Sequence, residues 1–560
     1  MPVVSYYYQP ELTLPDLIHR AIKLHPDLYL GYYDKKGTLE KQYYSDLLEK
    51  AERIAAGLTN LGLKKGDKII IATLKTKEII ELLWGAFLTG IVPTVLQPPM
   101  TFSGYNPSVV KLINVYKQLD APFIFFSEEL KEHGDLPKDK ILHTEELNTS
   151  GTWTRPVIHP DDLAFIQFSS GSTGDPKGVT LTHKNLMVNM DAIRIGLDLH
   201  YPDHIGNWMP LFHDMGLIGY HLTPLYSLSF QYQIETVDFI MNPALWLDMM
   251  SSYRITVTGC PNFGLALVLR YLKRKKTVSE WDFSAMKAML NGAEPISVNI
   301  MNDFLNALEP YHFKPEAMMP VYGMAEATLA ISFSPLMQPS VITAFDSALL
   351  DREGIAKAVE KDDPAARELS EVGVALNDIA IRIVDHHDEV VPEGRSGHIQ
   401  IKGPSVTGGY YRNEEATSSA FCGDWLRTGD MGFYYDNRLY ISGRFKDIIF
   451  KNGKNYFAND LESMACSISD ISYGKVCFGG TTNKQTGHDK VIAFVAGIPD
   501  SKANEIFTGL RNLLRNNLGI TLDEMVIIKS NEIPKTSSGK LQRYLLLQRY
   551  LNEDFNNIIF

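Results

Sequence analysis

Residues 166–177 (IQFSSGSTGDPK) set the hydroxyl side chains of Ser169, Ser170, Ser172 and Thr173 among Gly171 and Gly174, with Lys177 just beyond. A loop of this composition can wrap phosphates, because glycines let the backbone approach an anion while hydroxyls and main-chain N–H groups donate to its oxygens. The spacing is not the G-x-x-x-x-G-K-[ST] of P-loop NTPases. Standing alone, the segment also reads as an ordinary Ser/Gly turn. The formal net charge of −12 and the absence of long Lys/Arg blocks argue against nucleic acid as a partner. Cys260, Cys422, Cys466 and Cys477 lie far apart, with no C-x-x-C pair and no His cluster at metal-ligand spacing, as expected of reduced thiols in a cytoplasmic protein.

Such a loop needs a strand behind it and a domain around it. With 560 residues and 45% apolar content, the chain is too long for one core and should divide into a large domain and at least one smaller one. Residues 68–74 form a β-branched run, 76–89 an apolar-periodic helix ending before Gly90, and 92–96 a second strand, which together make a βαβ unit. Similar runs at 122–126, 163–168, 255–259 and 288–291 extend the α/β pattern, and the run 163–168 leads directly into the phosphate loop. Residues 338–371 are charged and poorly periodic between better-patterned neighbours, as expected of an insertion. Beyond Arg444 the pattern becomes compact and mixed, with candidate strands at 446–450 and 491–496 and a helix near 503–517. We therefore expect a large α/β domain over 1–443, a polar hinge at 444–447 and a smaller α+β domain over 448–560. The N-terminus lacks the pattern of a secretion signal, and the most apolar stretch, 79–95, is broken by Glu81, Gly85, Gly90 and Pro93. Stable membrane insertion is not expected.

The loop 166–177 resembles the phosphate loop of the adenylate-forming superfamily, which includes acyl-CoA synthetases, peptide-synthetase adenylation domains and luciferases. Six further superfamily motifs follow in order: PLFH (210–213), NGAEP (291–295), YGMAE (322–326), TGD (428–430), SGRFKD (442–447) and PKTSSGK (534–540). The resemblance implies ATP and Mg²⁺ as cofactors, with a carboxylate attacking the α-phosphate and pyrophosphate leaving. It implies that Glu326 holds Mg²⁺, Asp430 takes the ribose hydroxyl protons, and Arg444 contacts ribose or phosphate. Gly292, Ala293, Glu294, Tyr322, Gly323, Met324 and Ala325 match segments lining the adenine and α-phosphate, and His213 matches a residue at the carboxylate end of the acyl pocket. Lys540 matches the lysine that bridges the carboxylate and the α-phosphate, and Lys446 falls where the C-terminal domain would hinge. The alternatives for these residues are bland: a solvated loop glutamate for Glu326, core packing for Tyr322, a satisfied core histidine for His213.

Within the superfamily, HDMG (213–216), NGAEP and GKNYFANDLE (453–462) resemble the fatty acyl-AMP ligases, which pass the acyl group to an acyl carrier protein or a polyketide synthase carrier domain. The last segment carries Ala458 and Asp460 where acyl-CoA ligases usually have proline and glutamate. The implied substrate is a medium- or long-chain fatty acid. A fatty acyl-CoA synthetase is the alternative enzyme, and a non-catalytic nucleotide-binding protein is the alternative of a different class; intact Glu326, Asp430, Arg444 and Lys540 argue against the latter.

Overall fold

The computed structural model describes residues 11–99, 107–126, 136–147, 151–168, 176–274, 280–377, 379–451, 454–482, 489–535, 541–555 and 558–559. The βαβ unit forms as its periodicity predicts. Strand Lys68–Ala72 leads through helix Thr76–Thr89 to strand Val92–Val95, which pairs with it in parallel. Gly90 ends the helix at φ +68°, a left-handed conformation that glycine takes without steric cost. Strands Phe123–Phe126 and Ile141–His143 complete a four-stranded parallel sheet.

A nine-stranded sheet forms the larger core. Its central strands, Tyr29–Tyr33, Phe230–Ile234, His204–Asn207, Val257–Cys260, Ala288–Asn291 and Met318–Gly323, run parallel. These strands are largely buried, yet not all read as apolar runs: Phe230–Ile234 alternates apolar residues with the buried Gln231 and Gln233, whose amides are hydrogen-bonded. The crevice at the carboxyl ends of parallel strands is where open α/β sheets bind ligands. Three of the motifs lie at those ends here: His213 follows Asn207, Ala293 and Glu294 follow Asn291, and Met324 to Glu326 follow Gly323. A third, antiparallel sheet of strands Ala380–Val384, Gly397–Lys402, Trp425–Tyr435 and Arg438–Arg444 carries Asp430 and Arg444 on neighbouring strands, directly opposite each other.

A short turn, Phe445–Asp447, follows Arg444. Beyond it lies the smaller C-terminal α+β domain. Strands Val476–Thr482, Asp489–Ala496, Glu524–Ile528 and Ile558–Ile559 form one sheet, with helices Ala458–Ala465 and Ala503–Leu518 packed around a separate apolar core that includes Ile449, Leu461, Val491, Leu510 and Met525.

Residues 338–371 contain more regular structure than their weak periodicity suggests. Strands Ile342–Asp346 and Ala366–Ser370 pair antiparallel, with helix Ser347–Glu353 after the first. Charge and packing hold the segment together. Arg367 pairs with Asp351 at 3.1 Å, and Phe345 is buried against Phe433 and Tyr440 of the third sheet.

Candidate active site

A cavity of about 1590 Å³ opens between the two domains. Lys177, His213, Ala293, Glu294, Tyr322, Gly323, Met324, Ala325, Glu326, Asp430, Arg444 and Lys446 all line it. Gly292 supports the site from behind, since a Cβ there would stand 2.6 Å from Val321 Cγ2 and 2.9 Å from its carbonyl oxygen. Ser169, Ser170, Gly171, Ser172, Thr173, Gly174 and Lys540 lie outside the described residues. The described residues flanking them, Phe168 and Pro176 for the loop and Lys535 and Leu541 for the lysine, line the same cavity.

Two carboxylates organise the polar end. Asp430 is buried, and its Oδ2 accepts from the Tyr322 hydroxyl at 2.7 Å while its Oδ1 accepts from Arg444 Nε at 3.0 Å. The backbone N–H of Asp430 is tied to Thr428 Oγ1 at 3.1 Å, which fixes the carboxylate relative to its own strand. Asp430 raises the pKa of Arg444, so the guanidinium stays charged, and burial beside Asp430 keeps the Tyr322 phenol protonated. The second carboxylate, Glu326, sits in the short turn Ala325–Ala327 and accepts from the Tyr410 hydroxyl at 2.9 Å. Loss of water pushes the Glu326 pKa up, against its own backbone N–H, Tyr410 and Arg444, which lower it, while Asp214 adds to the rise. A cation at this point would relieve that cost. Among the described residues no group of three or more His, Cys, Asp or Glu could hold a metal on its own. One carboxylate facing a polar cavity suits Mg²⁺ shared with phosphates and water better than it suits an all-protein cage.

His213 places Nδ1 2.7 Å from Asp214 Oδ1 at the head of the irregular helix Met215–Leu222. Glu294 joins the domains: its Oε1 accepts from the Phe263 backbone N–H at 2.9 Å and its Oε2 from the Tyr473 hydroxyl of the C-terminal domain at 3.2 Å. Ala293, just before it, has φ +68°, a conformation that alanine adopts only under constraint and that turns the chain into the site. Lys535 also reaches this junction, 6.0 Å above the Phe263 ring, and burial lowers its pKa.

At the other end the cavity is apolar. Ile193, Leu197, Leu199, Ile205, Val257 and Phe333 line a lobe between helix His183–Gly196 and the nine-stranded sheet. A slot of this kind accepts a hydrocarbon chain and rejects a charged one.

Sequence reasoning missed three groups. Tyr410 holds Glu326 and lies under Lys177, whose Nζ is 5.0 Å from the ring centroid. Tyr473 reaches Glu294 from the other domain. Arg367 joins residues 338–371 to the C-terminal domain through Asp460 Oδ2 at 2.8 Å. No local signal marks them, because each acts through a partner more than 80 residues away in sequence.

The pattern of AMP-binding enzymes matches residues 22–411. The chain belongs to the AMP-binding enzyme family. A protein of Caulobacter vibrioides, provisionally named an acyl-CoA synthetase, is 31% identical over 93% of this chain and 92% of its own length. The medium-chain-fatty-acid–[acyl-carrier-protein] ligase JamA of Moorena producens is 29% identical over 91% of this chain and 89% of its own. Among solved structures of AMP-binding enzymes, one from a study of fatty acyl-adenylate ligases of E. coli and L. pneumophila superposes with a TM-score of 0.89 at 29% identity. It covers 97% of this chain and 98% of that one. These likenesses bear out the fold class, a large N-terminal domain with a smaller C-terminal one, and the assignment to the adenylate-forming ligases.

Proposed function

We propose that this enzyme activates a medium- or long-chain fatty acid with ATP, giving acyl-adenylate and pyrophosphate, and then passes the acyl group to the phosphopantetheine thiol of an acyl carrier protein or polyketide synthase carrier domain in the cytoplasm. The observation that carries the reading is one cavity with two ends, a polar end at Glu326, Asp430 and Arg444 and an apolar lobe lined by Ile193, Val257 and Phe333. JamA, the relative named as a medium-chain-fatty-acid–[acyl-carrier-protein] ligase, supports the choice of acid and acceptor.

In the first half-reaction a carboxylate oxygen forms a bond to the α-phosphorus as the bond to pyrophosphate breaks. Such transfers need positioning and charge neutralisation more than covalent help. Asp430, held by Tyr322, Arg444 and Thr428, would accept hydrogen bonds from both ribose hydroxyls, and Arg444 would add positive charge near the phosphates. His213, which lines the cavity, would meet the carboxylate end of the acyl chain, and Lys540 would bridge carboxylate and α-phosphate. Glu326 and the ATP phosphates would hold Mg²⁺, which neutralises charge on the departing pyrophosphate. In the second half-reaction the thiol sulfur attacks the acyl carbonyl and AMP leaves.

The preference for a carrier over free CoA rests on residues 338–371. Arg367 ties them to Asp460, and its guanidinium stands 5.3 Å above the Phe457 ring; these contacts would restrain a swing about Lys446. No helix among the described residues is long and apolar enough to cross a membrane. Mass spectrometry of products from ATP and mixed fatty acids, with CoA or with a loaded carrier protein, tests this reading. Rapid acyl-CoA formation by the intact protein would make it an acyl-CoA synthetase.

A further inference from the structure

Helix Pro107–Gln118 belongs to none of the motifs, yet it lines the cavity with Val110, Leu112 and three polar residues, Ser108, Lys111 and Asn114, which are spaced three residues apart along one face. It also reaches both shoulders of the segment 169–175. Lys111 Nζ donates to the carbonyl of Phe168 at 3.3 Å, and Gln118 Nε2 donates to the carbonyl of Pro176 at 3.2 Å. The helix is thus built against the two residues between which the phosphate-loop sequence runs.

Lys111 is an unusual group to find there. An ammonium has three donors, and one carbonyl at 3.3 Å uses one of them weakly. No carboxylate of the described residues stands within ion-pair distance of it, and loss of water alone lowers its pKa to about 8. A cation withdrawn from water without a counter-charge is costly, and an arriving anion repays that cost. The carbonyl of Phe168 is a neutral anchor that holds the chain end in place and leaves the remaining donors for a ligand.

We propose that Lys111 binds the β- and γ-phosphates of ATP, and the pyrophosphate formed from them, as a second cation beside Lys177. This rests on the adenylation reading for the identity of the anion. One charge-assisted hydrogen bond is worth about 1.5 to 3 kcal/mol, or roughly 10- to 150-fold in affinity.

Equilibrium binding separates this role from a structural one and needs no turnover. Lys111→Met should weaken binding of Mg-ATP and of inorganic pyrophosphate by about tenfold or more, leave AMP binding within about twofold, and keep the wild-type thermal transition; Lys111→Arg should retain most of the phosphate affinity. Equal losses for AMP and ATP would reduce Lys111 to a prop for Phe168, and unchanged pyrophosphate affinity in a folded Lys111→Met would remove it from the site. If phosphate affinities shift as expected but no fatty acid drives pyrophosphate release, the adenylation reading fails and the Lys111 assignment stands.

Discussion

Arg367→Met should free the C-terminal domain from residues 338–371. The guanidinium makes four contacts: Asp351 Oδ1 at 3.1 Å, Asp460 Oδ2 at 2.8 Å, the Ser442 carbonyl at 2.8 Å and the face of Phe457 at 5.3 Å. Two of them, to Asp460 and Phe457, reach across to the C-terminal domain, and only these bias its orientation. Removing one partner of a buried ion pair can cost about 3 to 5 kcal/mol, because the other charge is stranded. That figure is too large here. Burial pushes the Asp460 pKa up to about 7 even with Arg367 lowering it, so near neutral pH this carboxyl can take up a proton instead of remaining as an isolated anion. The cross-domain loss is then closer to one hydrogen bond between charged groups plus a weak cation–π contact, about 2 to 3 kcal/mol, or roughly a 25- to 150-fold shift in the orientation equilibrium. Interdomain energy transfer between dyes on the two domains should show a second population. Acyl-CoA formation should rise from its basal level while fatty-acid-dependent pyrophosphate release stays within about threefold. A folded variant with an unchanged dye distribution would refute the claim that Arg367 holds the domains.

Lys540→Ala should lower acyl-adenylate formation by about two to four orders of magnitude, equivalent to roughly 3 to 5 kcal/mol of transition-state stabilisation, with the thermal transition unchanged. Tyr322→Phe removes the hydroxyl that fixes Asp430, so the KM for ATP should rise about tenfold while kcat changes little; an unchanged KM would show that Arg444 and Thr428 alone hold the carboxylate. Lys446→Pro fixes φ and removes a backbone donor, so one half-reaction should suffer far more than the other in single-turnover assays; equal damage in a folded variant argues against a hinge there. Asp460 gives a pH dependence with a definite sign. Its pKa in the packed arrangement lies above the ordinary 3.8, so that arrangement binds the proton more tightly than an exposed one. Packing of the C-terminal domain on residues 338–371 should be strongest below the ordinary value, weaken as pH rises toward about 7 and level off above it. Asp460→Asn should flatten the profile read by the same dye pair.

The fold was legible in the sequence wherever periodicity and turn chemistry agree. Residues 68–96 show this best: a β-branched run, an apolar helix and Gly90 at its end make a parallel unit with bounds within a residue or two of those expected. Residues 338–371 show the opposite. Their order comes from the pairing of Arg367 with Asp351, sixteen residues apart, and from Phe345 buried against the distant Phe433 and Tyr440, so a short window along the chain sees only charge. The same divide runs through the site. Asp430 and Arg444 could be named from their motifs, and the strand register that sets them opposite each other came only with the sheet. Tyr410, Tyr473 and Lys111 carry no motif, since the Glu326, Glu294 and Phe168 that they touch are brought to them by the fold.

The central claim is that a fatty acid drives adenylate chemistry in this one two-ended cavity. Its most direct measurement is pyrophosphate release from ATP by the purified protein with and without a medium- or long-chain fatty acid, with acyl-AMP followed by mass spectrometry in the same samples. Pyrophosphate should appear only with the acid, in step with acyl-AMP, and Arg444→Ala should abolish both. Release that is independent of the acid, or no release with acids of any chain length, would contradict it.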